Sequence, residues 1–348
     1  MLPHPRARRV PVCHDIEDAL PATGAGPIKG AGAAAPSRHA AFNERENMKR
    51  ILTAVFSVCI AWVALSLAAQ DLGPSVRKIR DGIYVYAAKE VDANVSIIQT
   101  RDGVVMIDTG QTPADSRAVA EILKKLTDQP VRFIIHTEPH GDHTVGDFVF
   151  SPPAAVIAHA GATASMREAN TEGRNKQLVS AYPAMREAFE GYRMVTPHVE
   201  YNQKMTLNVG ERTIELIYLK NVHSEADTAI WLPKERILWA AASVGVKRYP
   251  NLRPFLTIPD ILASIKMMRA LNPEVVIAAH GAPGTTQILD EMERYYSMLL
   301  ERVGKLAGEG KTLDQVKQEL RMPEFGDWLG KERISTSVEA AYKAVKGN

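Results

Sequence analysis

Short segments of alternating hydrophobic and polar residues begin near residue 76, and this pattern predicts β-strands. Val76 to Tyr86 alternates on both sides of Asp81-Gly82, a dipeptide typical of a tight hairpin turn. Strands are also predicted at Asn94 to Thr100 and at Val104 to Ile107. Pro113 to Leu126 then has the spacing of an amphipathic helix with a proline in its first turn.

The rest of the chain contains a second set of strands and helices. Further strands are predicted at Val131 to Ile135, Val156 to His159, Met205 to Val209, Thr213 to Leu219, Thr228 to Leu232, Ile237 to Ser243 and Val275 to Ala279. Further helices are predicted at Asp260 to Leu271, Gln287 to Ala307, Leu313 to Glu319 and Val338 to Val345. Gly161 to Gly191 has helical spacing but is unusually polar, which favours a surface or lid element. Two similar halves predict an α+β sandwich of two mixed β-sheets with helices on both outer faces.

The N-terminal part of the chain differs from the rest. Residues 1–47 are rich in Ala, Pro, Gly and Arg and lack apolar periodicity, so we predict a disordered or non-functional extension. Basic residues after Met48, the apolar run Ile51 to Leu67 and the small residues at Ser66-Leu67-Ala68 are typical of a signal peptide over residues 48–69. An uncleaved membrane anchor is the alternative, because the run approaches the roughly 20 residues that span a bilayer.

The cleavage pattern favours removal of the signal segment, which predicts a periplasmic or secreted protein without stable membrane insertion. A folded domain is then expected over residues 70–285, with a helical extension over residues 286–348 packed on it. The composition, with 45% hydrophobic and 24% charged residues, is that of an ordinary globular protein.

Removal of the leader also changes the charge and the cysteine content. The leader holds eight Lys/Arg and five Asp/Glu, so the remainder keeps 34 basic and 35 acidic residues, a net charge of about −1. This balance indicates no nucleic-acid partner. Cys13 and Cys59 both lie in the leader, so the remainder has no disulfide and no thiolate to bind a metal.

The stretch His136-Thr137-Glu138-Pro139-His140-Gly141-Asp142-His143 carries the main candidate chemistry. In an extended chain alternate side chains share a face, so Glu138, His140 and Asp142 can converge while His143 reaches them from the next turn. Imidazole nitrogen and carboxylate oxygen are the ligands of catalytic zinc sites, so the stretch predicts a metal site. His136 is a possible substitute ligand, although a hydrogen-bonded histidine at a strand end is the favoured interpretation.

Four ordered motifs resemble the metallo-β-lactamase superfamily over about residues 76–285. They are Asp108-Thr109-Gly110 after a strand, the loop from Glu138 to His143, His223 with Asp227 before a strand, and His280-Gly281 after an apolar strand. The resemblance implies a four-layer αββα sandwich with one or two zinc ions at its edge.

The resemblance also implies a role for each matching residue. The first metal site would consist of Glu138, His140 and His223, and the second of Asp142, His143 and His280. Asp108 would support the metal loop by hydrogen bonding, and Asp227 would have the same role. Lys247 lies where related enzymes place a cation that holds a substrate carboxylate, and a solvated surface charge is the alternative.

Two positions depart from the family pattern. Glu138 stands where the family usually has histidine, and its negative charge lowers the Lewis acidity of a zinc ion, so bound water should have a pKa above about 7. Trp239 to Ser243 supplies neither the cysteine nor the bridging aspartate that family members use there. The histidine-rich third subclass of class B β-lactamases is then the nearest relative.

These observations predict a secreted zinc hydrolase in which metal-bound hydroxide opens a cyclic amide or ester of a small molecule. Asp142 would bind metal and also orient the nucleophile or pass a proton to the leaving group. A β-lactam is the favoured substrate, with a lactone or a thioester as the rival. Glu138 together with Ala242 also leaves open a non-catalytic periplasmic metal-binding protein.

Overall fold

The computed structural model of the protein describes residues 71–87, 93–181, 183–242 and 244–347, without the side chain of Met185. The predicted N-terminal extension and signal peptide lie outside these residues, as does the predicted strand end at Ser243.

The first sheet, as far as the described residues show, contains seven strands in sequence order. β1 to β4 form an antiparallel meander, and β4 to β7 run parallel to one another. Each residue of β4 is buried, which is expected because both faces of this part of the sheet are covered. The strands are β1 (Val76–Arg80), β2 (Ile83–Ala87), β3 (Asn94–Thr100), β4 (Gly103–Ile107), β5 (Val131–Ile135), β6 (Ala155–His159) and β7 (Val199–Tyr201).

The second sheet is also mixed. In the described part of the chain it has five strands in the order β12-β11-β10-β9-β8, with only the β11–β12 pair parallel. Its strands are β8 (Lys204–Val209), β9 (Arg212–Leu219), β10 (Asp227–Leu232), β11 (Ile237–Trp239) and β12 (Val275–Ile277). The two sheets face each other across buried side chains such as Ile107 and Ile230. The Trp239 indole Nε1 donates to Ser96 Oγ across this interface at 2.8 Å.

Helices cover both outer faces. The helices are α1 (Pro113–Leu126), α2 (Gly141–Thr144), α3 (Asp147–Phe150), α4 (Ala160–Ala169), α5 (Glu172–Ala181), α6 (Ile258–Ala270), α7 (Gln287–Gly308), α8 (Leu313–Glu319) and α9 (Ile334–Lys346), with 3₁₀ turns at Pro183–Phe189, Pro323–Phe325 and Lys331–Arg333. On the first sheet, Val119 of α1 packs against Met106 and Ile134. The second sheet shares one hydrophobic cluster with α6, α7 and α9. The predicted αββα layering is confirmed.

Three sequence predictions need correction or addition. The strand predicted from Ile237 to Ser243 ends at Trp239, and the strand Val199–Tyr201 was not predicted. The last helix begins at Ile334, one turn before the predicted start.

The polar segment after β6 does form helices, and α5 buries none of its residues, as expected of a surface element. None of the described helices is long and apolar enough to cross a membrane.

Candidate metal centre

The candidate ligands meet at one edge of the sandwich because each follows the end of a strand. Parallel strands β4 and β5 deliver Asp108 and Glu138 to the same sheet edge. His223 lies in the loop between β9 and β10, and His280 lies just after β12. His280 also forms an isolated β-bridge with Ala93, which joins the second sheet to the start of β3.

The first cluster contains Glu138, His140 and His223, whose potential ligand atoms lie within 4.8 Å of one another. Glu138 Oε2 lies 3.5 Å from His223 Nε2 and also contacts His140 Nδ1. The two imidazole rings meet edge to face with centroids 5.1 Å apart. One carboxylate and two imidazoles therefore converge on one point.

The second cluster contains Asp142, His143 and His280, again with potential ligand atoms within 4.8 Å of one another. Asp142 Oδ2 lies 3.5 Å from His143 Nε2 and 3.6 Å from His280 Nε2. The two clusters adjoin, because Glu138 Oε1 lies 3.0 Å from His143 Nε2.

The local backbone explains this division of the loop. The extended chain expected to bring Glu138, His140 and Asp142 to one point ends at His140, because helix α2 begins at Gly141. The helical turn moves Asp142 to the side of His143 and His280. The extended-chain geometry was therefore wrong for Asp142, whereas the grouping implied by the family resemblance matches the structure.

The chemistry of this donor set fits a divalent metal ion. Glu138 Oε1 and His143 Nε2 are buried and have no hydrogen-bond partner, although they face each other. Buried polar atoms without hydrogen bonds are costly, and a cation between them would compensate that cost. Imidazole nitrogens and carboxylate oxygens are ligands that zinc accepts in catalytic sites.

The protonation states also suit a metal. Burial lowers the pKa of His223 and the pKa of His280 to about 4, so both imidazoles are neutral at neutral pH. Burial alone would raise the pKa of Glu138, but the positive charges of protonated His223 and His143 would hold that pKa well below its usual range. Burial opposes protonation of His143, but the Glu138, Asp142 and Asp108 charges raise its pKa well above the usual value. An ionised carboxylate beside neutral His223 and His280 is the form in which these groups bind metals, and His143 would release a proton when it binds one.

Asp108 orients one of the candidate ligands. Its carboxylate accepts hydrogen bonds from the Thr137 backbone N–H at 2.9 Å and from the Thr137 hydroxyl at 2.6 Å. It also accepts from His143 Nδ1 at 2.8 Å. Because a carboxylate can only accept, His143 Nδ1 carries a proton, and Nε2 is the ring atom that faces Asp142 and Glu138.

Asp108→Asn is expected to weaken metal affinity at the second cluster by about 10- to 100-fold, because the amide no longer fixes the His143 proton. Asparagine tolerates the left-handed backbone of this residue, whose φ is +55°, so the fold should persist. Competition with a chromophoric chelator measures the affinity. An unchanged affinity would contradict the orienting role.

Asp227 holds the loop that carries His223. Its Oδ2 atom accepts from the backbone N–H groups of His223 and Ser224, each at 2.8 Å, and its Oδ1 accepts from the Ser224 hydroxyl at 2.8 Å. Burial raises the pKa of Asp227 to about 7, and the Glu138 charge adds to this effect. The carboxyl group therefore lies behind His223 and accepts hydrogen bonds from the loop that carries it.

His136 lies beneath the clusters and not within them. It is fully buried, with Nε2 2.9 Å from Asp147 Oδ2 and Nδ1 3.4 Å from Asp108 Oδ1. Burial opposes its protonation, but the Asp147 and Asp108 charges raise its pKa to about 9. The favoured interpretation of His136, a hydrogen-bonded histidine at a strand end, agrees with this geometry.

Sequence analysis missed two supporting residues. Asp147 accepts from the Thr109 hydroxyl at 2.8 Å as well as from His136. Asn94 Nδ2 donates to the carbonyls of Ala278 and Gly281, at 2.8 and 2.7 Å, and so brackets His280. The one local signal for Asp147 is the preceding residue, Gly146. An added Cβ there would lie 2.2 Å from the Thr109 carbonyl oxygen, so this close approach of the two chain segments requires glycine.

Comparison with known proteins decides the family. The sequence model of the metallo-β-lactamase superfamily matches residues 88–280. The chain belongs to this superfamily. The match includes every residue of both clusters.

The relatives include enzymes with different reactions. The α subunit of 2,4-dinitroanisole O-demethylase from Nocardioides sp. (strain JS1661) is 24% identical over 217 residues, covering 62% of this chain and 58% of that one. A linear primary-alkylsulfatase from Pseudomonas sp. (strain ATCC 19151) is 20% identical over 266 residues, covering 65% and 49%. The chain thus spans about half the length of the curated relatives that it matches.

A solved structure extends the comparison of folds. The inverting sec-alkylsulfatase Pisa1 from Pseudomonas sp. superposes with a TM-score of 0.61 at 18% identity, over 78% of this chain and 50% of that one. At this identity the likeness concerns the fold alone.

An alanine lies beside the candidate ligands His223 and His280. Ala242 lines a small cavity together with these two histidines. Its methyl group has no atom that could bind a metal, so it adds no ligand to either cluster.

A cavity of about 340 Å³ opens over the two clusters. Of the described residues that line it, three are arginines, and they come from different parts of the chain. Arg253 donates to the His223 carbonyl oxygen at 2.8 Å and lies 3.3 Å from His223 Nε2. The lining residues are Gln111, His140, Asp142, His223, Arg248, Asn251, Arg253, His280 and Arg333.

Lys247 does not line this cavity. Its ammonium group is exposed and forms an ion pair with Asp327 at 3.1 Å. Its backbone φ of +48° marks a turn in the chain, and the next residue, Arg248, lies in the cavity wall. The structure therefore places Lys247 on the surface, in agreement with the alternative of a solvated charge, and places Arg248 in the cavity wall.

A second, larger cleft of about 460 Å³ shares His140 with the cavity over the clusters. Its wall combines apolar side chains such as Leu178 and Met194 with charged ones such as Glu168 and Arg174. Part of this wall belongs to α4 and α5, the polar helices that sequence analysis interpreted as a surface or lid element.

Proposed function

We propose that the protein is a metal-dependent hydrolase that cleaves a small molecule carrying an anionic group. The observation that carries this proposal is the position of two carboxylate-and-histidine clusters at the floor of a cavity whose wall holds arginines. A guanidinium group pairs with carboxylate or sulfate oxygens through two parallel hydrogen bonds.

Two groups of residues would hold the metal. Glu138, His140 and His223 would form one site, and Asp142, His143 and His280 the other. A bound divalent ion, for which zinc is our first choice, would supply a Lewis acid and lower the pKa of water. The adjoining clusters support one or two ions per chain.

Protein side chains would then position the substrate and move the proton. Arg248 and Arg253 lie in the wall above the clusters, where their charges would hold the anionic group. Asp142 lines the same cavity, so its carboxylate is our candidate to accept a proton and pass it to the leaving group. Asp108 and Asp227 keep His143 and the His223 loop in place.

A β-lactam, which carries a carboxylate beside its cyclic amide, is our first substrate candidate. The missing bridging aspartate at Ala242 supports this candidate, and a lactone or thioester is the close rival. An alkyl sulfate is the second candidate, because the arginine-lined wall suits a sulfate group and one of the similar proteins is a linear primary-alkylsulfatase. The signal-peptide pattern at residues 48–69 supports export to the periplasm or beyond.

Metal removal tests the proposal. We expect the metal-free protein to hydrolyse none of nitrocefin, a lactone, a thioester or dodecyl sulfate, and the zinc-loaded protein to turn over at least one of them. Plasma emission spectroscopy measures the metal content in parallel. If zinc binds but all four substrates remain intact, the hydrolase proposal fails and the non-catalytic metal-binding protein takes its place.

A further inference from the structure

The C-terminal helical extension contributes a residue to the candidate active site. Arg333 lines the cavity over the metal clusters, although it lies outside residues 88–280 that match the superfamily. We propose that Arg333 completes, with Arg248 and Arg253, an oxyanion-binding wall that selects substrates carrying a carboxylate or sulfate group. This inference rests on the proposed hydrolase function and names its substrate-selecting residue.

The backbone before Arg333 is fastened to the loop that carries Arg248. The Leu329 N–H donates to the Lys247 carbonyl and the Tyr249 N–H donates to the Leu329 carbonyl, both at 2.9 Å. Arg248 and Leu329 thus form a parallel β-bridge. Because these bonds flank Arg248 directly, the extension and the cavity wall form one connected backbone unit.

Side chains strengthen this attachment below the cavity. The buried Tyr249 hydroxyl donates to the Phe325 carbonyl at 3.0 Å. The Tyr249 ring also packs edge to face on Tyr295 and Trp328, with centroids 5.7 and 5.8 Å apart. A rigid aromatic cluster of this kind fixes the segment from which Arg333 projects.

Gly330 sets the path of the Arg333 side chain. Its φ is +74°, a left-handed conformation that favours glycine, and it precedes the 3₁₀ turn Lys331–Arg333. A Cβ at residue 330 would lie 3.2 Å from Arg333 Cδ and 3.4 Å from Nε. The guanidinium stem therefore lies directly against the glycine, and a larger residue there would push it aside.

The charges of the wall favour an anionic occupant. Arg248 and Arg333 line the same cavity, and burial together with the positive charge of Arg333 lowers the pKa of Arg248. Glu332 opposes this effect, but its side chain is 76% exposed. Two cations beside one cavity repel each other, and an oxyanion between them would relieve that repulsion.

Sulfate binding to the zinc-loaded protein tests the role of Arg333. Isothermal titration with sodium sulfate should show an affinity at least about tenfold weaker in Arg333→Gln than in the unmodified protein, since a charge-assisted bidentate contact is lost. Arg333→Lys should have an intermediate affinity because it keeps the charge but loses the planar fork. Titration with acetate distinguishes sulfate from carboxylate selectivity.

Lys331→Gln is the matched control, because it removes the same charge only two residues from Arg333. The Lys331 side chain does not line the cavity. The sulfate affinity of Lys331→Gln should equal that of the unmodified protein. Gly330→Ala should weaken sulfate binding without removing any charge, and it keeps the test decisive if Arg333→Gln fails to fold. Equal affinities in Arg333→Gln and Lys331→Gln, or binding of neither sulfate nor acetate by the unmodified protein, would overturn the inference.

The same variants separate this inference from the proposed hydrolase function. With any hydrolysed anionic substrate, Arg333→Gln should raise KM about tenfold and leave kcat nearly unchanged. If sulfate binding depends on Arg333 but no substrate is cleaved, the hydrolase proposal alone fails. If an anionic substrate is cleaved with the same KM in Arg333→Gln, the inference about Arg333 alone fails.

Discussion

Replacing His136 with glutamine is expected to lower the free energy of unfolding by about 3–5 kcal/mol, the usual cost of removing one partner from a buried ion pair. His136 is fully buried between the carboxylates of Asp108 and Asp147, which raise its pKa to about 9 against the effect of burial. Glutamine is neutral, so both carboxylates would lose their buried counter-charge. Urea unfolding of the metal-free protein at neutral pH measures the change.

His198→Gln is the control, because it makes the same substitution at an exposed histidine. The His198 Nδ1 atom accepts from the Val156 N–H at 3.0 Å, so a change below about 1.5 kcal/mol is expected there. If His136→Gln is no more destabilising than this control, His136 is not the counter-charge of the buried carboxylates. The comparison of the two variants also shows whether the stability of the metal loop depends on protonated His136, which itself binds no metal.

Local sequence patterns predicted most of the elements because their signals are strong. Helix α1 has the predicted bounds, since Thr112 caps it by accepting from the Asp115 N–H and Pro113 occupies its first turn. Strand β5 also has its predicted bounds, because its β-branched and aromatic residues lie between turn formers.

The predicted end of β11 was wrong because burial and strand pairing are separate properties. Ala240, Ala241 and Ala242 continue the apolar run and are buried, yet the chain leaves the sheet after Trp239. The hydrophobic pattern records burial alone. Strand β7 was missed for a related reason, since Val199–Tyr201 has too few residues for a recognisable alternation.

Some residues of the candidate site could be predicted from the sequence, and others could not. Glu138 to His143 form one continuous stretch, so spacing alone proposed a metal site there, and resemblance to a family added His223 and His280. Asn94, Arg253 and Arg333 acquire their positions only through folding, because each belongs to a segment distant along the chain from the residues it contacts. Local spacing contains no signal for such contacts.

Replacing Glu138 with alanine is expected to remove the metal ion of the first cluster, where the affinity should fall by more than about 100-fold. Loss of a supporting residue alone costs 10- to 100-fold, and Glu138 supplies the carboxylate of its cluster. Asp142, His143 and His280 should retain the other ion, since their own donor set is unchanged. Plasma emission spectroscopy after dialysis measures the stoichiometry.

Glu168→Ala provides the matched control, because it removes an exposed carboxylate from the neighbouring cleft and should leave the metal content unchanged.

Glu138→His separates the charge of Glu138 from its role as a ligand. A neutral imidazole leaves a bound metal more Lewis acidic, so the acidic limb of the kcat/KM profile should move to lower pH without loss of metal. If Glu138→Ala binds as much metal as Glu168→Ala, and Glu138→His changes neither affinity nor pH profile, Glu138 is not a ligand. The first cluster would then lack a carboxylate ligand, and the weakened Lewis acidity inferred from the sequence would lose its basis.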